Sequence, residues 1–243
     1  IDVNQNGEIF MRNADGAGAS QVHYGLRYRD GDLMLHLGTG LGSSSYYAVK
    51  TANTIPTGEW IHVAGVFNAG TGATLYVNGV AQTTDAPNTN SNSSINYGSS
   101  GTGINTIGKY RTLSGDYNPF DGRIDELRIW NVARTASEIQ SNMGNQIDPS
   151  SSDLVAYYRF NNGTRNVTNS GVTTLSDLTG NGNDATIRSS SLTGTASNWV
   201  TGFIPPITGN ATATVGSTTQ LANAASGGTW SSSNTGVATV DQT

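Results

Sequence analysis

The sequence predicts an all-β fold of antiparallel strands with one short helix. Apolar and polar residues alternate along much of the first 132 residues, so that Leu33, Leu35 and Leu37 share one face of a predicted strand. The 31 glycines fall at separate turns between apolar runs, which is typical of many short strands joined by tight turns. Asn78-Gly79, a pair that favours a type I′ turn, stands between two such runs. These patterns predict a chain that reverses direction repeatedly within antiparallel sheets.

The individual strands follow from the same alternation and from the turn residues at their ends. Asp30-Gly31 predicts the hairpin that joins residues 24–28 to the strand of the three leucines. Residues 60–67 are apolar at nearly every position, which is typical of a strand buried on both faces. Residues 85–102 and 111–119 are rich in polar and turn residues and are predicted loops. The other strands predicted in this part of the chain are 73–77, 80–83, 104–108 and 122–130.

The single helix is predicted over residues 137–143. The sequence Thr135-Ala136-Ser137-Glu138 fits a capping box, in which the threonine side chain caps one backbone amide and the glutamate reaches back to another. Ile139 and Met143 are four residues apart and would therefore share one face of this helix.

The remainder of the chain predicts the end of this domain and the start of another. Strand patterns resume at residues 154–160 and 185–188, and Pro205-Pro206 marks a linker. Residues 214–221 and 237–240 then predict strands of a second domain, which we expect to be incomplete at residue 243.

Composition excludes several classes of protein. Charged residues make up 12% of the chain and the net charge is -5, so no basic surface is available to neutralise the phosphates of a nucleic acid. No stretch approaches the roughly 18 consecutive apolar residues of a membrane span. Because the chain has no cysteine, disulfides cannot hold it together, and its stability must come from a core or from bound ions.

Three segments together resemble a known family of domains. The first, at residues 58–79, contains GEWIHVAGVF and then LYVNG; the second, at residues 120–131, is FDGRIDELRIWN; the third, at residues 154–184, contains LVAYYRF and then DLTGNGND. In this order they resemble the concanavalin A-like, laminin-G-type jelly rolls of bacterial surface proteins. The resemblance implies a two-sheet jelly-roll sandwich over residues 1–204, whose usual first strand pair is missing and which residues 154–200 close. The alternative, a second sandwich beginning at residue 154, leaves too few strands before residue 205.

Residues 205–243 resemble the start of a bacterial Ig-like domain of the group 2 kind. The matching segments are VGSTTQL at 215–221, TWSSSN at 229–234 and VATVD at 237–241. Such domains usually occur in tandem in surface adhesins. The resemblance therefore implies an extracellular, bacterial cell-surface location, and neighbouring domains of the same long chain as partners.

Residues 177–184 predict either a structural calcium site or a plain turn. Calcium prefers about six to eight oxygen ligands, and glycines allow backbone carbonyls to turn towards it. The loop lacks the spacing of an EF-hand, and Asn and Gly are also common in ordinary turns, so both interpretations stay open. In the first, the ligands are Asp177, Asn181, Asn183 and Asp184, with Asp121 or Asp125 from a neighbouring strand.

A cluster of aromatic and polar residues at 110–118 predicts a sugar-contact surface. Aromatic rings stack on pyranose faces, and polar groups beside them bond the sugar hydroxyls. Arg111 would suit an acidic sugar. Loop tyrosines also serve as packing lids, and this alternative stays open. The predicted ligand-binding residues are Tyr110, Arg111, Asp116, Tyr117 and Asn118.

The sequence offers little support for catalysis. A retaining glycosidase needs two carboxylates about 5 Å apart, whereas Asp125 and Glu126 are adjacent and would point to opposite faces of a strand. Three histidines, no cysteine and no G-x-S-x-G motif leave a nucleophilic triad equally unsupported. We therefore expect a non-catalytic adhesion or glycan-recognition module. The alternatives are a carbohydrate-targeting module of a polysaccharide-degrading enzyme and a structural spacer or filament unit.

Overall fold

The computed structural model confirms the predicted fold class, because it is nearly all β, with antiparallel sheets and one short helix, as in a jelly-roll sandwich. It describes residues 1–3, 6–14, 22–38, 46–89, 103–112, 115–165, 167–188, 199–200, 202, 208–209, 212, 214–215, 217–222 and 239. Within these residues no helix is long and apolar enough to span a membrane.

The strands are β1 (Asp2–Val3), β2 (Gly7–Ala14), β3 (Val22–Arg29), β4 (Asp32–Gly38), β5 (Tyr46–Thr51), β6 (Val63–Asn68), β7 (Gly72–Val77), β8 (Val80–Ala81), β9 (Thr84–Thr89), β10 (Gly103–Ile107), β11 (Tyr110–Thr112), β12 (Gly115–Tyr117), β13 (Gly122–Arg123), β14 (Leu127–Trp130), β15 (Leu154–Tyr158), β16 (Thr174–Leu175), β17 (Ala185–Thr186), β18 (Thr208–Gly209) and β19 (Leu221–Ala222).

The largest sheet has six antiparallel strands in the order β10-β2-β3-β4-β5-β9. Leu35 pairs with Leu26 on one side and with Val49 on the other, so the alternating apolar residues of three strands lie on one face. The predicted leucine strand is confirmed, since Leu33, Leu35 and Leu37 are all buried.

A second sheet, β6-β7-β8, packs against that apolar face. Gly65 of β6 lies so close to the first sheet that a Cβ added to it would be 2.9 Å from Leu35 Cδ1. Leu75 of β7 is fully buried in the same core. The prediction that residues 60–67 are buried on both faces is wrong, because β6 begins at Val63 and most of its residues are only half-buried. An outer sheet of a sandwich has one face towards solvent.

Two predicted loops contain strands. Within residues 85–102, β9 pairs with β5 along the edge of the large sheet, and residues 90–102 lie outside the described part of the chain. Within residues 111–119, β11 and β12 form a hairpin. Asn and Ser favour turns, but strand pairing with a neighbour can override this local preference.

The strand predicted at residues 122–130 is two strands. Its first part, β13, pairs with β1, and its second part, β14, pairs with β15. Between them Glu126 has a φ of 52°, in the left-handed region that non-glycine residues rarely adopt. This residue redirects the chain from one strand pair to the other.

The helix α1 (Ala136–Asn142) is capped as predicted and begins one residue earlier than expected. The Thr135 N–H donates to Glu138 Oε2 at 2.8 Å, and the Glu138 N–H donates to Thr135 Oγ1 at 3.3 Å. Ile139 is buried, and Gln140 Nε2 donates to the Gly79 carbonyl at 3.2 Å. The helix therefore packs on the turn between β7 and β8.

Residues of β14 pair with residues of β15 in an antiparallel ladder, in which Ile129 lies opposite Ala156. Ala156, Tyr158 and Leu175 form a second hydrophobic cluster below this strand pair. The domain boundary at residue 204 stays a prediction. One contact in its favour joins Trp199 to Gly163, where an added Cβ would be 2.3 Å from the indole Cδ2.

The Ig-like domain predicted for residues 205–243 also stays a prediction. Here the structure describes the short β18–β19 pair, with Thr208 opposite Ala222. Residues 223–238 and 240–243, which include most of the resembling segments, lie outside the described residues.

Candidate functional site

The predicted sugar-contact residues lie on the β11–β12 hairpin, which is anchored to the large sheet. Asn13 is buried on β2, and its Nδ2 donates to the Arg111 carbonyl at 2.8 Å. Thr106 of β10 donates through Oγ1 to the Lys109 carbonyl at 2.7 Å. These donors attach β11 and the residue before it to the large sheet.

Tyr110 and Tyr117 are cross-strand partners on one face of this hairpin. Their ring centroids are 6.3 Å apart and the ring planes are inclined by 50°, a favourable tilted geometry. Tyr117 is 46% exposed, whereas Tyr110 is half-buried. The two rings therefore differ in exposure: Tyr110 lies partly covered beside Tyr117, and Tyr117 presents a face to solvent.

Arg111 and Asp116 lie on the opposite face, because neighbouring residues of a strand alternate in direction. Arg111 Nη1 is 2.9 Å from Asp116 Oδ1, and Lys109 Nζ is 2.7 Å from Asp116 Oδ2. The hydrogen bond from Lys109, with the charges of Lys109 and Arg111, holds the pKa of Asp116 below its usual value. The predicted cluster is thus divided into an aromatic face and a charged face.

Asn118 connects the hairpin to β2. Its φ is 46°, its carbonyl accepts the Glu8 N–H at 3.3 Å, and its Nδ2 donates to Glu8 Oε1 at 3.3 Å. The amide group predicted to bond a sugar hydroxyl is therefore engaged within the protein.

The sequence patterns did not reveal a buried polar cluster beside the hairpin. Glu8 lies opposite Arg27 in the β2–β3 ladder, with Glu8 Oε2 at 3.4 Å from Arg27 Nε. Arg27 Nη2 is also 2.7 Å from His36 Nδ1 on β4. Burial, opposed by the charge of Arg27, raises the pKa of Glu8. Burial and the same charge lower the pKa of His36 to about 3. The sequence could have indicated this cluster, because Glu8, Arg27 and His36 all occupy polar positions of strands in which apolar and polar residues alternate.

In the loop at residues 177–184, the Asp177 carboxylate is surrounded by hydrogen-bond donors. Its Oδ1 accepts the N–H groups of Tyr157 and Thr179, both at 3.0 Å. Its Oδ2 accepts the Thr179 hydroxyl at 2.8 Å and the Asn183 N–H at 3.3 Å. The Asp177 N–H in turn donates to Asp184 Oδ1 at 2.8 Å. The loop is closed on itself and on β15.

The two asparagine amides of this loop complete its attachment to β15. Asn181 Nδ2 and Asn183 Nδ2 donate to the Val155 carbonyl at 3.1 and 2.9 Å. The Leu178 N–H donates to the Tyr157 carbonyl at 3.0 Å. Since the other edge of β15 pairs with β14, the loop covers the edge that would otherwise be open.

This geometry does not fit Asp177 as a calcium ligand, because its oxygens face donors and a cation needs free lone pairs. The side-chain amides of Asn181 and Asn183 direct their N–H groups at β15. Asp125 Oδ1 accepts the next backbone N–H at 2.9 Å, and Asp121 is exposed. In the described part of the chain, no three acidic or histidine side chains are grouped to hold a metal ion. Calcium binding at residues 177–184 therefore stays a prediction from the sequence, and the hydrogen bonds of Asp177 do not favour it.

A polar pocket of about 390 Å³ opens beside the same loop. Its lining includes Asn131, Ser151, Asp153, Thr179 and Asn181. Hydroxyl, amide and carboxylate groups meet there without an aromatic ring among the lining residues.

Comparison with known proteins identifies the family. Residues 1–140 match the Laminin_G_3 model, described as the concanavalin A-like lectin/glucanases superfamily. This match covers more than half of the chain. The chain belongs to the Laminin_G_3 family. None of the curated proteins compared with it matches.

Two solved structures resemble this Laminin_G_3 chain in part. One is a candidate carbohydrate-binding protein from Bacteroides ovatus ATCC 8483, with 23% identity over 72% of this chain and 49% of that chain, and a TM-score of 0.47. The other is an S-layer domain-containing protein (residues 221–444) from Clostridium thermocellum ATCC 27405, with 25% identity over 58% and 64%, and a TM-score of 0.27. The chain spans less than two thirds of either structure, and at these TM-scores no inference about function follows.

Because the superfamily includes both lectins and glucanases, the surroundings of the carboxylates bear on whether this Laminin_G_3 chain could be catalytic. Glu126 Oε2 accepts a hydrogen bond from Arg128 Nη2 at 3.0 Å and another from the Tyr157 hydroxyl. Glu126 Oε1 is 3.4 Å from Arg159 Nε. Burial and the hydrogen bond to Glu126 raise the pKa of Tyr157 to about 12. Glu126 thus holds the junction of β14 and β15 together.

Proposed function

We propose that this chain is a non-catalytic glycan-recognition module of a large secreted or bacterial cell-surface protein, acting in adhesion. The observation that carries the proposal is the exposed ring of Tyr117, supported by Tyr110 on a hairpin fixed to the large sheet. A sugar ring has apolar C–H faces that pack on such a ring. A platform attached to a sheet loses less entropy when the sugar binds than a free loop would.

The non-catalytic part of the proposal is supported by the surroundings of Glu126. Two arginines and the Tyr157 hydroxyl already engage this carboxylate, so it has a structural role that does not require catalysis. The adjacent Asp125 bonds its neighbour's backbone N–H instead of forming a pair with Glu126. A carbohydrate-targeting module of an enzyme would use the same tyrosine face and would differ only in the rest of the protein.

The test is glycan binding by the variant Tyr110→Ala/Tyr117→Ala. On a glycan array and then by titration calorimetry, we expect the double variant to lose binding while its melting temperature changes little. Losing one stacked ring costs about 1 kcal/mol, or roughly fivefold in affinity. The matched control is Val80→Ala, since Val80 is 58% exposed on β8 and belongs to the other sheet.

Two results would contradict the proposal. If the wild-type chain binds no glycan, the structural spacer is the better interpretation. If the folded double variant binds as the wild type does, the sugar site lies elsewhere, and the polar pocket with Asn131 and Asp153 is the next place to test. If the double variant unfolds, Tyr117→Ala alone decides, because this ring is the exposed one.

A further inference from the structure

The two faces of the β11–β12 hairpin separate aromatic rings from charges. Tyr110 and Tyr117 pair across the strands, and Arg111 and Asp116 pair at the next position. Successive residues of a strand point to opposite faces, so a sugar stacked on Tyr117 lies on the side away from the Arg111 guanidinium. A ligand on this face would therefore contact the aromatic rings and not the charged side chains.

The two cations at the hairpin, Lys109 and Arg111, share one carboxylate. Asp116 receives Lys109 at 2.7 Å through one oxygen and Arg111 at 2.9 Å through the other. The side chains of Lys109, Arg111 and Asp116 are 18%, 34% and 29% exposed, so the cluster is partly shielded from water. A sugar carboxylate on the tyrosine face could recruit Arg111 only by drawing the guanidinium across the strand, away from its position beside Asp116.

The charge of the whole chain also opposes acidic ligands. Seventeen acidic residues exceed twelve basic ones, which gives the net charge of -5. A polyanionic polysaccharide is repelled by such a protein over about 10 Å at moderate salt, whereas a neutral polysaccharide is not.

We infer that the aromatic face binds neutral glycans, with a hexose ring stacked on Tyr117 and its neighbour beside Tyr110, and that it discriminates against uronic and sialic acids. The inference rests on the proposed function, that this tyrosine pair contacts a glycan. It assigns Arg111 and Asp116 a different role from sugar contact: they tie the two strands of the hairpin together.

Matched oligosaccharides test the inference on the whole chain. The β-linked mannose hexamer and the corresponding mannuronate hexamer share linkage and ring stereochemistry and differ in a carboxylate at C6; cellohexaose and its glucuronate counterpart form a second pair. A full array of neutral and sialylated glycans identifies other ligands. We expect neutral members to bind about tenfold more tightly than acidic ones, a difference of about 1.4 kcal/mol. Their affinity should be insensitive to NaCl between about 50 and 500 mM, because no ion pair forms.

The outcomes separate this inference from the proposed function. The inference is overturned if acidic glycans bind more tightly than neutral ones and if their affinity falls with added salt and in Arg111→Gln. In that case, loss of binding in Tyr117→Ala would still uphold the proposed function. Binding of neither class, or neutral binding that Tyr117→Ala leaves unchanged, overturns both. If neutral glycans bind, if Tyr117→Ala weakens this binding and if salt does not change it, the result supports both the inference and the proposed function.

Discussion

Asp177 and Tyr157, twenty residues apart, are joined by a hydrogen bond from the Tyr157 backbone N–H to Asp177 Oδ1 at 3.0 Å. Tyr157 is fully buried, and its N–H lies on the edge of β15 opposite β14, where the described residues form no strand. The aspartate side chain replaces the carbonyl that a neighbouring strand would supply. A buried N–H left without such a partner would cost about 1 to 3 kcal/mol.

The first prediction follows from this bond. In Asp177→Asn, the new amide N–H group would face the N–H and O–H donors that the carboxylate now accepts. We therefore expect the free energy of unfolding, measured by urea denaturation, to fall by about 1 to 3 kcal/mol. Asp85→Asn is the matched control, because Asp85 is exposed on the edge strand β9. Equal stability of the two variants would show that Asp177 is not needed to cap β15.

The same residue gives an expectation in acid. Burial opposes ionisation, but hydrogen bonds from Thr179, Tyr157 and Asn183 hold the pKa of Asp177 below its usual value. A lowered pKa stabilises the folded state above about pH 4 and loses that contribution as the pH falls further. The wild-type chain should therefore lose stability below this pH more steeply than Asp177→Asn, and parallel curves would contradict the explanation.

The second prediction concerns calcium. A calcium chelator should leave the melting temperature unchanged, because the Asp177 carboxylate already accepts N–H and O–H groups of the protein. A ligand that binds only the folded state raises the melting temperature by mass action, so differential scanning fluorimetry with chelator and with added calcium is the measurement. A fall in chelator that excess calcium reverses, and that Asp184→Asn abolishes, would establish the calcium site predicted from the sequence.

The third prediction tests the contact between Trp199 and Gly163. Gly163→Ala would place a Cβ 2.3 Å from the Trp199 indole, and we expect a loss of about 1 to 3 kcal/mol from overpacking. Gly171→Ala is the control, since an added Cβ meets nothing within 4 Å there. In a Trp199→Ala background the cost of Gly163→Ala should disappear, as measured by a double-mutant cycle. A cost that persists would mean that Trp199 does not pack on Gly163 in solution.

The fourth prediction uses His36. Burial and the nearby Arg27 lower its pKa to about 3 in the folded chain, against about 6.5 when unfolded. The unfolded state binds the proton first, so this histidine favours unfolding progressively as the pH falls from about 6.5 to about 3. His36→Gln should flatten the dependence of stability on pH in that window. An unaltered slope would show that His36 is accessible to protons in the folded chain.

Several elements could be predicted from the sequence because their signals are local. Alternation of Leu33, Leu35 and Leu37 placed a buried strand, and Asn78-Gly79 placed a hairpin turn that the structure contains. The capping box at Thr135 and Glu138 placed the helix start to within one residue. In each case the interaction involves residues a few positions apart, so the short-range pattern is sufficient.

The candidate site was only half predictable. The sequence located the tyrosines and the polar residues at 110–118, but from the sequence we predicted one loop in which they share a surface. Pairing of β11 with β12 places Tyr110 and Tyr117 on one face and Arg111 and Asp116 on the other. That division depends on the register between two strands, which no single-residue preference encodes.

The sequence by itself determined the all-β class, the hairpin turn at Asn78-Gly79 and the helix cap, because these follow from composition and short-range periodicity. Only the tertiary structure decided that Asp177 accepts the N–H of Tyr157, and that Glu126 is held by Arg128 and Arg159. The chemistry of a carboxylate is set by the groups that face it. Tyr157 is twenty residues from Asp177, and Arg159 follows a strand that only packing brings beside Glu126.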